Sequence, residues 1–228
     1  ALGAFAGQNI TTGTENTALG YQALQLEDAG IRSVAVGSAA LYSQNGNGGN
    51  VAVGYKAGYS TTTGEDNVFV GFAAGEQNTS GLYNVAVGRY ALNTNVDGDG
   101  TVAIGLQAFE NLEPADGYTH NVAIGYNAGK DTTTATYNTF IGSQSGVSNT
   151  TGQYNTAVGA QTLQATSVGT QNTAIGTEAL KTNVDGSKST AIGYRALYSQ
   201  EPSGATDTFN VGIGVEAGRA TTIGLRNT

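Results

Sequence analysis

The strongest constraint on this chain is a pentapeptide that returns at an almost fixed interval. Asn121-Val122-Ala123-Ile124-Gly125 has relatives whose closing glycines fall at Gly3, Gly20, Gly37, Gly54, Gly71, Gly88, Gly105, Gly125, Gly142, Gly159, Gly176, Gly193 and Gly214. Ten of the twelve intervals are 17 residues, and the other two are 20 and 21. A period this short predicts a solenoid, in which each repeat buries its apolar face only against its neighbours. The 228 residues (1–228) therefore read as one continuous β-solenoid of about thirteen turns, not as ordinary globular domains.

With the closing glycine as position 0, position −1 is always aliphatic and −3 is Val or Thr, β-branched types suited to a strand. These two share a face and are expected to form the core. Position −2 faces the other way and is Ala in ten of thirteen copies, which predicts close approach of another surface there. A second segment, x-x-Ala followed by Leu, Phe or Gly, reads as a second short strand, as in Tyr21-Gln22-Ala23-Leu24. Gly recurs at −7, for example at Gly64, Gly81, Gly152 and Gly169, as a turn needing positive φ would select. Position −4 is Asn in every copy but Ser33, Thr101 and Ser189, which predicts a ladder of side chains bonded to one another and to neighbouring backbone. Phe69 and Phe140, 71 residues apart, both replace the small −2 residue, so a four-turn block looks duplicated.

The core so described is thin, with one Val or Ile per turn at about 1.5 to 3 kcal/mol. That must offset about 1 to 2 kcal/mol of ordering per residue, so the expectation is a homotrimer associated along the Ala face. Composition removes other classes. A net charge of −8 with nine scattered Lys and Arg offers no basic stripe for nucleic acid. No Cys, no Met and one His leave almost no inventory for thiolate, metal or acid-base chemistry, so no enzyme activity, cofactor or metal is expected. No run of 18 apolar residues exists, so no membrane insertion is expected. The chain opens and closes within a repeat, which suggests a segment of a longer fibre continuing end to end.

Asn-(Thr/Val)-Ala-(Ile/Val)-Gly followed by x-x-Ala resembles the head repeat of trimeric autotransporter adhesins. It is still more similar to the Asn-Thr-Ala-Ile-Gly-Tyr-x-Ala-Leu arrays of phage tail-fibre-like proteins. The resemblance covers all 228 residues. It implies a left-handed parallel β-roll, trimerised into an extracellular fibre on a cell or virion surface that attaches to a glycan or protein receptor. The 17-residue period exceeds the roughly fourteen of the adhesin heads, so the outer arc is longer. Ice-binding or glycan-binding solenoids are the alternatives, and β-helix enzymes a weaker one.

Candidate sites are the two places where the period fails. One insertion runs from Glu110 to His120 and carries Glu113, Pro114, Asp116, Tyr118 and His120; the other runs from Ser199 to Phe209 and carries Glu201, Pro202, Asp207 and Phe209. Both prolines fall nine residues past their glycine, so both loops are expected to protrude from one corner. Protruding loops on rigid repeats often bind partners, and equally often are tolerated insertions. Asn93 to Asp99, partly repeated at Asn183 to Gly186, has oxygens at alternate positions but lacks the ends of a calcium loop, and Asp-Gly turns explain it better. Tyr21, Tyr55, Tyr126 and Tyr194, all at +1, could stack sugars or only each other.

Overall fold

The computed structural model describes every residue except Asn47, Ala115, Asp116 and Ser203. It contains two compact units, Ala1–Thr119 and His120–Thr228, and each is a parallel β-solenoid. The first carries β1 (Thr17–Leu19), β2 (Val34–Val36), β3 (Val51–Val53), β4 (Val68–Val70), β5 (Val85–Val87) and β6 (Val102–Ile104). The second carries β7 (Val122–Ile124), β8 (Thr139–Ile141), β9 (Thr156–Val158), β10 (Thr173–Ile175), β11 (Gly186–Ser187), β12 (Thr190–Ile192), β13 (Thr206–Asp207) and β14 (Val211–Ile213). Successive strands pair in parallel with like position facing like, as in Val34 with Val51, Ala35 with Ala52 and Val36 with Val53. The register survives the longer insertion: Thr190 pairs with Val211 and Ile192 with Ile213.

The faces of the strand are the reverse of the sequence expectation. Ala35, Ala52, Ala86, Ala123, Ala157 and Ala174 at −2 are fully buried, whereas the −1 residues Val53, Ile104, Ile124 and Ile175 are 37–39% exposed. The uniform Ala does mark a close approach, but the approaching surface is the opposite wall of the same turn, where Ala57, Ala74, Ala91 and Ala128 at +3 are also fully buried. A turn of 17 residues encloses so little space that Ala on both walls fills most of it, and Val and Ile are left outside.

The remaining interior explains the Leu and Gly kinds of turn. Leu24, Leu41, Leu92, Leu163, Leu180 and Leu197 at +4 are buried and fill their own layers. At the +4 glycines Gly58, Gly75 and Gly146, the buried Phe69 or Phe140 fills the space instead. A Cβ on Gly58 would lie 2.7 Å from Phe69 Cδ2, and one on Gly75 2.4 Å from Phe69 Cδ1. One phenylalanine thus spans two glycine layers.

The segment after the closing glycine stacks from turn to turn, as in Leu24 N–H bonding to Ala40 C=O at 3.0 Å and Leu41 N–H to Ala57 C=O at 3.0 Å. It is nevertheless no second strand. Positions +2 and +4 have positive φ, for example Gln22 at 58° and Leu24 at 50°, which folds it into consecutive tight turns. The closing glycine itself sits near 135°, and a Cβ on Gly54 would lie 2.2 Å from the Gly71 carbonyl oxygen. The −7 glycines do not have positive φ; they are small because the Asn corner crowds them, with a Cβ on Gly81 falling 2.4 Å from Asn78 Oδ1 and 2.6 Å from the Gly98 oxygen.

The Asn ladder at −4 is present. Asn67 Oδ1 accepts from Asn84 N–H at 2.9 Å, and its Nδ2 donates to Gly81 C=O at 2.8 Å. The same pair of bonds recurs at Asn138, to Asn155 N–H at 2.9 Å and Gly152 C=O at 2.8 Å. Each buried amide therefore satisfies two backbone groups of the next turn. A second interior polar column, at +7, runs through Glu27, Gln44, Asn78 and Asn95 in the first unit and Asn149, Asn183 and Gln200 in the second. Its sequence signal was a position that is polar in nearly every copy yet never Lys or Arg.

Candidate functional site

Both insertions follow one design, and neither simply protrudes. In the first unit Leu112 and Pro114 are buried, and Pro114 Cγ lies 2.5 Å from where a Cβ on Gly98 would stand, so proline packs on a side-chain-free turn. In the second, Pro202 is buried against Gly186 in the same way, 3.1 Å from its Cβ position. The turns beneath are Asn95-Val96-Asp97-Gly98 and Asn183-Val184-Asp185-Gly186, each 88 residues apart, as are the Glu-Pro pairs above them.

Re-entry is also shared. Thr119 is fully buried, donates its N–H to Asp99 C=O at 3.0 Å and its hydroxyl to the same oxygen at 2.8 Å, and touches the Thr101 hydroxyl. Thr208 is buried too, donates its N–H and its hydroxyl to Ser187 C=O, both at 2.9 Å, and touches the Ser189 hydroxyl. The extra three or four residues are thereby anchored by a buried proline on one side and a buried threonine on the other. Only Glu113, Tyr118 and His120 of the first loop, and Glu201, Asp207 and Phe209 of the second, are exposed among the candidates. Asp116 lies outside the described residues.

The exposed members do not converge into one site. Tyr118 pairs with Asp99 through an isolated parallel bridge, and its side chain is 62% exposed. The His120 ring meets Tyr137 edge-on at 5.4 Å, and Tyr137 stacks on Tyr154 at 5.1 Å and 4°, an aromatic row that sequence reading did not single out. Asp207 on β13 pairs with Lys188 at 2.6 Å, and Lys188 Nζ lies 5.3 Å from the Phe209 ring. Glu201 Oε2 accepts from Val184 N–H at 3.3 Å. Partial burial, with Asp97 beside it, pushes the Glu113 carboxyl up; partial burial, with Asp185 beside it, does the same to Glu201, and the Val184 N–H opposes that.

The side chains of Asn93, Asn95 and Asp99 bond into the fold and do not converge on a shared centre. Asn93 Nδ2 donates to Ala73 C=O at 3.0 Å, Asn95 is in the interior column, and Asp99 Oδ1 accepts from Leu82 N–H at 2.7 Å. Among the described residues no group of three or more His, Cys, Asp or Glu could hold a metal ion. Of the tyrosines at +1, Tyr55 stacks on Phe72 at 5.0 Å, Tyr21 meets Phe5 edge-on at 5.9 Å, and the Tyr194 ring lies 4.9 Å from the Arg195 guanidinium. No helix is long and apolar enough to cross a membrane among these residues.

The outer face of the strands is an apolar surface repeated from turn to turn. In the first unit it presents Val at −3 from β2 to β6 and Leu19, Val36, Val53, Val70, Val87 and Ile104 at −1, each partly exposed. In the second, Thr139, Thr156, Thr173 and Thr190 stand at −3 beside Ile141, Val158, Ile175 and Ile192 at −1. Tyr55, Phe72 and Leu106 at +1, each 42–45% exposed, widen the apolar band in the first unit. No family model, curated protein or solved structure matches this chain.

Proposed function

We propose that this chain is a non-enzymatic structural segment of an extracellular fibre, associated as a homotrimer, and that the fibre mediates attachment to a cell or host surface. The observation that supports it is the outer strand face. Soluble monomers rarely expose contiguous apolar patches beyond a few hundred Å², yet here Val, Ile and Leu line the outside of six consecutive strands of one unit. Parallel sheets ordinarily have both faces covered. Covering this one with copies of itself would bury one β-branched row after another in register, because every turn presents the same two positions. In this reading the seam runs along positions −3 and −1, with the Ala row inside each chain.

Native mass spectrometry tests it. A species of three times the 23.0 kDa chain mass is expected, and a stable monomer at micromolar concentration would overturn the reading. Attachment is tested separately, by binding of the assembled fibre to cells before and after the exposed tips of the two insertions are removed.

A further inference from the structure

We propose that Tyr137 and Tyr154 are a site of oxidative cross-linking, where a one-electron oxidant joins the two rings by a carbon–carbon bond and fastens successive turns of the second unit. Such a bond lies within one chain and is independent of the attachment reading.

The sequence leaves an oxidant little else to attack. The chain has no Cys, no Met and no Trp, but 12 Tyr. Cys and Met are the side chains that ordinarily take up peroxide, so here the phenols become the reactive groups. A lone phenoxyl radical has no partner in its own chain, whereas two phenols held side by side can couple.

Tyr137 and Tyr154 both occupy position −5, on successive turns. Their backbones match, with φ of 59° and 58°. The residue after each belongs to the Asn ladder, where Asn155 N–H donates to Asn138 Oδ1 at 2.9 Å. The two tyrosines are therefore held about one strand spacing apart, about 4.8 Å. Their rings follow the backbone, with centroids 5.1 Å apart and planes within 4°. One ring is nearly the other translated along the stack, so each carbon beside a hydroxyl faces its counterpart. The side chains are 45% and 53% exposed, which admits an oxidant and leaves the rings free to tilt together. Neither neighbour extends the reaction: His120 meets Tyr137 edge-on at 5.4 Å, and beyond Tyr154 the row continues with Gln171.

A second stacked pair, Tyr42 and Tyr59 at 5.0 Å and 10°, differs in its charge environment. Lys56 Nζ lies 5.1 Å from the Tyr59 ring. A cation held by the ring's electrons opposes removal of one of them. No Lys or Arg lies over Tyr137 or Tyr154 among the described residues, so this pair is the easier to oxidise.

Hydrogen peroxide acting through a haem peroxidase is the oxidant. Each phenol gives up one electron and its hydroxyl proton. The two radicals then form a bond between the ring carbons ortho to their oxygens, and the protons displaced from those carbons return to the oxygens. The two hydrogen atoms lost overall convert one peroxide to two waters. The product closes the loop between turns covalently, as a disulfide would in a chain that had cysteine.

The test treats the full chain at micromolar concentration with hydrogen peroxide and a haem peroxidase, digests it, and maps cross-linked peptides by tandem mass spectrometry. Mixing isotope-labelled with unlabelled chains separates bonds within a copy from bonds between copies. A product joining Tyr137 to Tyr154 within one copy, lighter by two hydrogen atoms, is expected at several times the yield of any Tyr42–Tyr59 product. Tyr137→Phe and Tyr154→Phe should each abolish it. Both variants keep a ring in the stack, and circular dichroism checks that they keep the fold. Absence of the Tyr137–Tyr154 product, its formation only between copies, or an equal yield at Tyr42–Tyr59 overturns the proposal.

Discussion

Gln200 donates through Nε2 to the Ser189 hydroxyl at 3.0 Å, and Gln44 makes the same bond to Ser33 at 2.8 Å. In both places the Asn ladder at −4 is interrupted by a shorter serine, and in both the +7 column answers with its longest neutral amide. Gln200 Oε1 then accepts from Asn210 Nδ2 at 2.8 Å, and Gln44 Oε1 from Asn50 Nδ2 at 3.0 Å. The two interior columns are thus one network, and a residue missing from one is replaced from the other.

Truncating Gln200→Ala is expected to cost about 1 to 3 kcal/mol, because it removes the acceptor of one Asn210 Nδ2 hydrogen, whose amide otherwise keeps only its bonds to Gly224 C=O and Asn227. Ser189→Asn in the intact background should also destabilise, by crowding Gln200. The double variant should be less unstable than the sum of the two, by about 0.5 to 3 kcal/mol. Denaturant unfolding of the four proteins measures the coupling, and strict additivity would contradict the network.

Phe69 serves the two layers whose +4 residues are Gly58 and Gly75. Phe69→Ala is expected to cost about 3 to 5 kcal/mol through the cavity it leaves. Adding Gly75→Leu should recover part of that, since Leu92 holds the same +4 position with φ at 51°. Gly75→Leu alone should be worse than either. Thermal unfolding of the three variants decides it.

The orientation of the strand is tested by paired lysines. Ala52→Lys places a charge in the closed interior and is expected to prevent folding of that region. Val53→Lys, one residue on but facing out, should leave the chain folded and abolish the proposed trimer. Circular dichroism and native mass read the two effects separately.

Stability should respond to pH through groups of opposite sign. Bonds from Lys181 at 2.6 Å and Arg195 at 2.6 Å hold the Glu178 carboxyl below the usual range. Its contribution is present above the unfolded-state pKa and is lost as pH falls through the lower folded value. Glu113 and Glu201 are raised, so their neutral forms are favoured in the fold. What they contribute is present below the unfolded-state pKa and lost as pH rises through the folded value. Glu178→Gln should therefore flatten the acid side of a melting-temperature profile, and Glu113→Gln with Glu201→Gln should flatten the loss of stability that follows as pH rises and these partly buried carboxyls ionise.

The sequence by itself determined the solenoid, its 17-residue turn, the Asn corner, and the places where two insertions leave and rejoin it, because each depends on identity and spacing alone. Which face of Val-Ala-Val is inside was decided only by the closed turn. Size argues for Val53 within, but the width left between Ala52 and the opposite wall admits nothing larger, except where glycine opposite makes room for Phe69 or Phe140. Positive φ at +2, +4 and −5 was equally hidden, since Gln22, Leu24 and Arg32 carry no mark of it and adopt it only because stacking on the next turn fixes their backbone. Pro114 and Pro202 looked like outward markers and became anchors for the same reason: Gly98 and Gly186 beneath them leave space that only the folded arrangement brings into contact.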